Sequence, residues 1–135
     1  MQKTILIIDD EEKLSALVST FLEKKGYRVV CANNGKQGIK AARYRSPDLI
    51  LLDMDMPKMD GREVLKRLKS DTRTMSIPVI ILVRYGDDYS KVRAASLYCE
   101  GYITKPFELE EIESKISQLL QILGGLAEAE EAAAN

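Results

Sequence analysis

Apolar residues gather in five short runs along the chain, at 4–8, 27–31, 48–52, 79–83 and 102–103, and helical periodicity fills most of the stretches between. Between the first two runs Leu14, Leu17, Val18, Phe21 and Leu22 repeat at the spacing of one helix face, and Gly26 closes the segment. Gly38, Ile39 and Ala42 mark a weaker face that ends before Pro47. From 61 to 69, Val64, Leu65 and Leu68 turn inward, while Lys66, Arg67 and Lys69 read as a solvated outer face. Leu109, Ile112, Ile116, Leu119 and Leu120 give the clearest helix, which closes the patterned part of the chain.

Strands that are apolar at consecutive positions, not alternate ones, are buried on both faces. With helices between them, such strands lie parallel and are joined by right-handed crossovers. The pattern predicts one α/β domain over 1–123, a doubly wound, five-stranded parallel sheet. Two stretches are less determined. From 85 to 97 only Val92, Ala94 and Ala95 offer apolar area and Gly86-Asp87-Asp88 loosens the start, so a helix there is lightly anchored and shifts at modest cost. Residues 124–135, Gly-Gly and then Ala- and Glu-rich, favour helix by composition but lack an apolar face, and read as a fraying tail or truncated linker.

Lys and Arg number 20 against 21 Asp and Glu, a formal charge of −1, which gives no electrostatic case for nucleic acid or a membrane surface. No apolar stretch is long enough to span a bilayer and no amino-terminal signal pattern appears, so a cytoplasmic location is expected. Cys31 and Cys99 share no metal-ligand spacing and read as small buried residues kept reduced. Histidine is absent, which removes His-based catalysis and His–metal sites from the chain. Any phosphohistidine chemistry has to come from a partner.

Candidate chemistry concentrates at two strand ends. Asp9-Asp10 follows the first run, and Asp53 closes the third inside Asp53-Met54-Asp55-Met56-Pro57-Lys58-Met59-Asp60-Gly61. An open α/β sheet holds its ligands outside the carboxyl ends of its strands. Three carboxylates gathered there repel one another unless a divalent cation or shared protons relieve them. Mg²⁺ suits such a site, since it takes one or two carboxylates and keeps several waters. Asp10 and Asp53 are candidate direct ligands, Asp9 acts through a water, and the backbone carbonyl of Asp55 is a further candidate. Asp53 is then a nucleophile able to form an acyl phosphate. Lys105, at the end of the fifth strand and expected beside the third, is the cation that steadies a transferring phosphoryl group. Pro106 after it is a candidate cis peptide that aims the lysine inward. Paired acids at a strand end also serve as solvated N-caps, but Asp53 and Lys105 together favour the site. Met54, Met56 and Met59 read as loop packing.

Asp9-Asp10, Asp53 with its Met-Pro and Asp-Gly followers, and Lys105-Pro106 resemble in order and spacing, over roughly 4–122, the receiver domain of two-component response regulators. The resemblance implies a flavodoxin-like fold with strand order 2-1-3-4-5. It implies phosphoryl transfer to Asp53 from the phosphohistidine of a histidine kinase or phosphotransfer protein. Asp9 and Asp10 then help to hold Mg²⁺, and Lys105 contacts the phosphoryl group. The family is a phosphoacceptor signalling domain, not an ordinary enzyme, though it assists its own phosphorylation and dephosphorylation. Its common partner or homodimer surface is the face of the fourth helix, the fifth strand and the last helix.

Members of that family usually end the fourth strand with Thr or Ser and then a small residue. The hydroxyl bonds the phosphoryl oxygen, and an aromatic side chain on the fifth strand follows the loop inward. Counting forward from Asp53 and back from Lys105 places Val83 at the hydroxyl position, Arg84 at the small position and Tyr102 at the aromatic one. Val83 cannot make the hydrogen bond to a charged group, worth roughly 1.5–3 kcal/mol, which is comparable with allosteric coupling energies. Phosphorylation can therefore survive while the distal signal is blunted. Arg84 has three readings: it crowds the pocket mouth, it bonds the phosphoryl group, or it points to solvent. Tyr85 and Asp55 stand where the family tunes hydrolysis of the aspartyl phosphate. Tyr98 and Cys99 replace a usual Gly-Ala and suggest a reshaped surface near the fourth helix.

The reading that follows is a stand-alone receiver that alters a protein–protein contact, with no membrane association and no nucleic-acid binding by this chain. If the chain is a fragment, an output domain is a candidate for the part cut away. A receiver-fold interaction module with a decoupled switch is the alternative, supported by Val83 and Arg84. A small Mg²⁺-dependent phosphohydrolase of the haloacid-dehalogenase type is suggested by Asp53-Met54-Asp55. Its motif belongs on a first strand, however, and little chain remains for a substrate cap.

Overall fold

A computed structural model describes residues 2–86 and 98–134. Its elements are β1 (Thr4–Ile8), α1 (Glu12–Lys24), β2 (Arg28–Ala32), α2 (Gly35–Arg45), β3 (Leu49–Asp53), α3 (Gly61–Ser70), β4 (Val79–Arg84), β5 (Gly101–Lys105) and α4 (Leu109–Ala134). The strands form one sheet in the order β2-β1-β3-β4-β5, every pair parallel. This is the doubly wound architecture that the continuous apolar runs imply.

Alternate residues of each central strand feed two cores. Leu6, Ile8, Ile50, Leu52, Ile81 and Val83 pack with Ile39, Val64, Leu65 and Leu68 of α2 and α3. Ile5, Ile7, Leu49, Leu51, Ile80 and Leu82 face the other way, onto Val18, Leu22, Ile112 and Ile116 of α1 and α4. Helices on both faces explain why β1, β3 and β4 tolerate almost no polar residue. The weak face of α2 has a steric reason. A Cβ on Gly38 would lie 2.6 Å from Ile8 Cδ1, so the glycine lets this helix approach β1 closely.

Local signals set the helix ends. Gly26, at φ 98°, takes the left-handed conformation after α1 and donates its amide to Glu23 O at 3.1 Å. Asn34 caps α2 by accepting from the Gln37 amide at 2.8 Å, and Asp60 caps α3 through the Glu63 amide at 3.0 Å.

Several sequence expectations need correction. Lys69 does not join a solvated face. Its Nζ donates to Glu100 Oε1 at 3.0 Å and to Ile77 O at 2.9 Å, while Glu100 Oε2 accepts from the Val79 amide. Cys31 is exposed because β2 is an edge strand, and Cys99 is only half-buried. The helix that composition favours for 124–135 is continuous with the closing one: α4 runs through Gly124-Gly125 to Ala134, with Ile122 and Leu126 exposed. The loosely anchored helix expected within 85–97 falls, from residue 87 onward, outside the described residues. No described helix is long and apolar enough to cross a membrane.

Candidate phosphoacceptor and metal site

Adjacent pairing of β1 and β3 brings their carboxyl ends together, and each ends in acid. Asp9 and Asp10 follow Ile8 directly, and Asp53 is the last residue of β3. Asp9 and Asp53 are each only 2 % exposed, whereas Asp10 faces solvent. Carboxylate oxygens of all three lie within 4.8 Å of one another, close enough to share one cation. Backbone amides hold the two buried groups: Asp9 Oδ1 accepts from the Glu11 amide at 2.9 Å, and Asp53 Oδ1 from the Asp55 amide at 3.1 Å.

The loop after β3 is fixed as tightly as the strand. A Cβ on Gly61 would sit 2.5 Å from Met54 Cα and 2.7 Å from Asp53 O, so only glycine lets α3 begin this close to the phosphoacceptor candidate. Met56 is buried, and Met54 and Met59 pack against the α2–α3 core, the loop-packing role expected of them.

Burial, and then the charge of Asp9, push the Asp53 carboxyl up to about 7, although the Asp55 amide and Lys105 favour its charged form. Lys105 Nζ is 3.5 Å from Asp53 Oδ1 and 3.3 Å from Asp9 Oδ2. Its burial works against the ammonium, but the Asp53 and Asp9 carboxylates outweigh this and raise its pKa. The end of β5 itself does not adjoin β3, although the Lys105 ammonium reaches Asp53. β5 pairs with β4, and the long side chain reaches past the β4 end. The Lys105–Pro106 peptide is cis.

Glu11 is a site residue that the sequence reading missed: its Oε1 is 3.5 Å from Lys105 Nζ. Its place directly after Asp9-Asp10 was the available signal. Val83 is 4 % exposed and turned into the core, so no hydroxyl stands at the end of β4. Arg84 follows it outward, with Nε 4.0 Å from Asp55 Oδ2. Tyr102 lies at the surface with Lys115 Nζ 5.8 Å from its ring centroid. Tyr85 and Tyr98 are exposed, and Cys99 packs against the α2–α3 core.

The family model of the response regulator receiver domain matches residues 5–117. The alkaline phosphatase synthesis transcriptional regulatory protein PhoP of Bacillus subtilis is 36 % identical over 121 residues, covering 90 % of this chain and 50 % of that protein. The DNA-binding dual master transcriptional regulator RpaA of Synechocystis is 43 % identical over 117 residues, 87 % of this chain and 48 % of its own length. The chain thus spans about half the length of these curated relatives. Among solved structures, a putative response regulator from Chloroflexus aurantiacus superposes with a TM-score of 0.82 at 26 % identity, covering 90 % of this chain and 99 % of that one.

Proposed function

The chain belongs to the response regulator receiver domain family, and from that premise we propose that Asp53 accepts a phosphoryl group from a phosphohistidine on a partner protein. The observation that carries this is the clustering of Asp9, Asp10 and Asp53 within 4.8 Å around a strand end, with Lys105 Nζ 3.5 Å from Asp53. A scaffold has no use for three acids whose mutual repulsion costs stability; a site that binds a cation and transfers a phosphoryl group does.

The donor set fits Mg²⁺: oxygen ligands only, two of them buried and amide-anchored, with Asp10 open to solvent for a hydrated ion. Asp10 and Asp53 would hold it directly, Asp9 through a water, and the Asp55 carbonyl would complete the protein ligands. Bound there, Mg²⁺ would supply the positive charge that lets three acids and a phosphoryl group share one pocket. The Asp55 amide orients Asp53 by fixing Oδ1. A carboxylate oxygen of Asp53 forms the new P–O bond as the P–N bond to the donor imidazole breaks, and the imidazole leaves with that electron pair and takes up a proton. Lys105 meets the equatorial oxygens as their charge develops.

Phosphorylation then alters a protein–protein contact, and the exposed Tyr102 on β5 with the adjoining α4 is the surface proposed for it. Val83 favours a second reading, in which the pocket is phosphorylated but the usual hydroxyl-driven switch is decoupled. The deciding experiment is incubation with acetyl phosphate and Mg²⁺ followed by intact mass. One added phosphoryl group that vanishes in Asp53→Ala is expected. Folded, Mg²⁺-bound protein that gains none from acetyl phosphate or from a phosphohistidine donor would turn the reading to an interaction module.

A further inference from the structure

A second cation stands at the mouth of this pocket, and β4 puts it there. Val83 faces the core, so the alternation of the strand turns Arg84 outward. Strand pairing sets Arg84 beside Lys105, and both line a groove of about 520 Å³ with Glu11, Tyr85 and Phe107. The Arg84 side chain is 68 % exposed, with Nε 4.0 Å from Asp55 Oδ2. The amide of the same Asp55 holds Asp53 Oδ1. One residue therefore separates the guanidinium from the phosphoacceptor.

Phosphorylation changes the charge that this guanidinium sees. Asp53 exchanges a single negative charge for a group of about −1.5 to −2, close to Asp9, Asp10, Asp55 and Glu11. Lys105 is already shared among Asp9, Glu11 and Asp53. A guanidinium offers a planar fork that phosphoryl oxygens accept in pairs, a stronger match than one carboxylate oxygen at 4.0 Å. At this exposure the side chain reorients largely through solvent.

We propose that Arg84 leaves Asp55 for the phosphoryl oxygens when Asp53 is phosphorylated, and so acts as the second phosphoryl-binding cation of the site. The inference rests on the phosphoacceptor reading above and adds how the state is held. It places the coupling of the pocket to the end of β4 in a charge that turns toward the phosphoryl group.

Beryllofluoride with Mg²⁺, a phosphoryl mimic that is not hydrolysed, tests this on the full chain. The Arg84 Nε–Hε resonance should shift on its addition, and ¹⁹F signals of the bound mimic should change in Arg84→Met. Affinity for beryllofluoride should weaken roughly tenfold in Arg84→Met, the scale of one charge-assisted hydrogen bond, and by clearly less in Arg84→Lys. Wild-type affinity in Arg84→Met, with an unmoved Arg84 resonance in the parent protein, overturns the proposal while leaving Asp53 as phosphoacceptor. Binding that persists in Asp53→Ala, or fails in the parent protein, overturns the phosphoacceptor reading and this inference with it.

Discussion

Lys105 sets its ammonium 3.3 Å from Asp9 Oδ2, although two strands of the sheet separate β5 from β1. An extended side chain delivers the charge across the strand ends, where backbone pairing alone would leave it beside Arg84. The pocket is thus assembled from both sides of β3, with acids from β1 and β3 and the cation from the far edge.

Removing that cation should separate metal binding from phosphoryl transfer. Lys105→Ala takes positive charge away from three acids, so Mg²⁺ should bind at least as tightly as in the parent protein. Phosphorylation by acetyl phosphate should fall about ten- to a hundredfold, in keeping with a lost charge-assisted contact of roughly 1.5–3 kcal/mol. Mg²⁺ titration and timed intact mass read the two effects independently.

The raised pKa of Asp53 has a definite sign. A carboxyl pushed up to about 7 binds its proton more tightly in the folded chain than in the unfolded one. Its contribution to stability is fully present below the unfolded value of about 4 and is lost as pH rises through the folded value. In EDTA the Tm of the parent protein should decline across that window, and Asp53→Asn should flatten the decline. Mg²⁺ affinity should rise with pH over the same range, because the ion displaces the proton. Melts and titrations at several pH values check both slopes.

Gly61→Ala should damage the site through packing alone. The new methyl group meets Met54 Cα and Asp53 O well inside contact distance. Overpacking of this kind costs about 1–3 kcal/mol, and the displaced loop carries the Asp55 amide that orients Asp53. Urea unfolding should show the loss, and phosphorylation should slow even under conditions where the variant is fully folded.

The Lys69–Glu100 clasp should matter for folding and not for chemistry. Glu100→Ala leaves a half-buried ammonium with only backbone carbonyls for partners and strands the Val79 amide. A loss of about 1–3 kcal/mol is expected from the unsatisfied groups, with Mg²⁺ affinity unchanged because the clasp lies at the opposite ends of the strands. Chemical denaturation and Mg²⁺ titration measure each part.

What the sequence made legible follows the range of each interaction. Strands β1, β3 and β4 were plain because two cores demand apolar residues at every position. Asp9, Asp10 and Asp53 could be found because each sits at the end of such a run, and Lys105 because it closes the short fifth strand. The helix position of Lys69 alone points to solvent, because its partner Glu100 lies 31 residues away. The exposure of Cys31 is hidden in the sequence, where an edge strand and a central one look alike in composition. The role of Glu11 is long-range in the same way, since only the folded chain brings it within 3.5 Å of Lys105.

Substituting the glycines of the last helix should stiffen it at no steric cost. A Cβ at Gly124 or Gly125 meets nothing within 4 Å, and glycine in a helix interior costs roughly 1 kcal/mol relative to alanine. Gly124→Ala with Gly125→Ala should raise the helical circular dichroism signal and slow amide exchange beyond Leu120.

That helix is also a lever. Ile112 and Ile116 clamp its base into the core, while residues 121–134 run on past the body with Ile122 and Leu126 exposed. At about 1.5 Å per residue the free arm is about 20 Å long, so a tilt of about 5° at the base sweeps its tip by about 2 Å. A rearrangement around β5 too small to register at the clamp becomes, at Ala134, a displacement on the scale of a side chain.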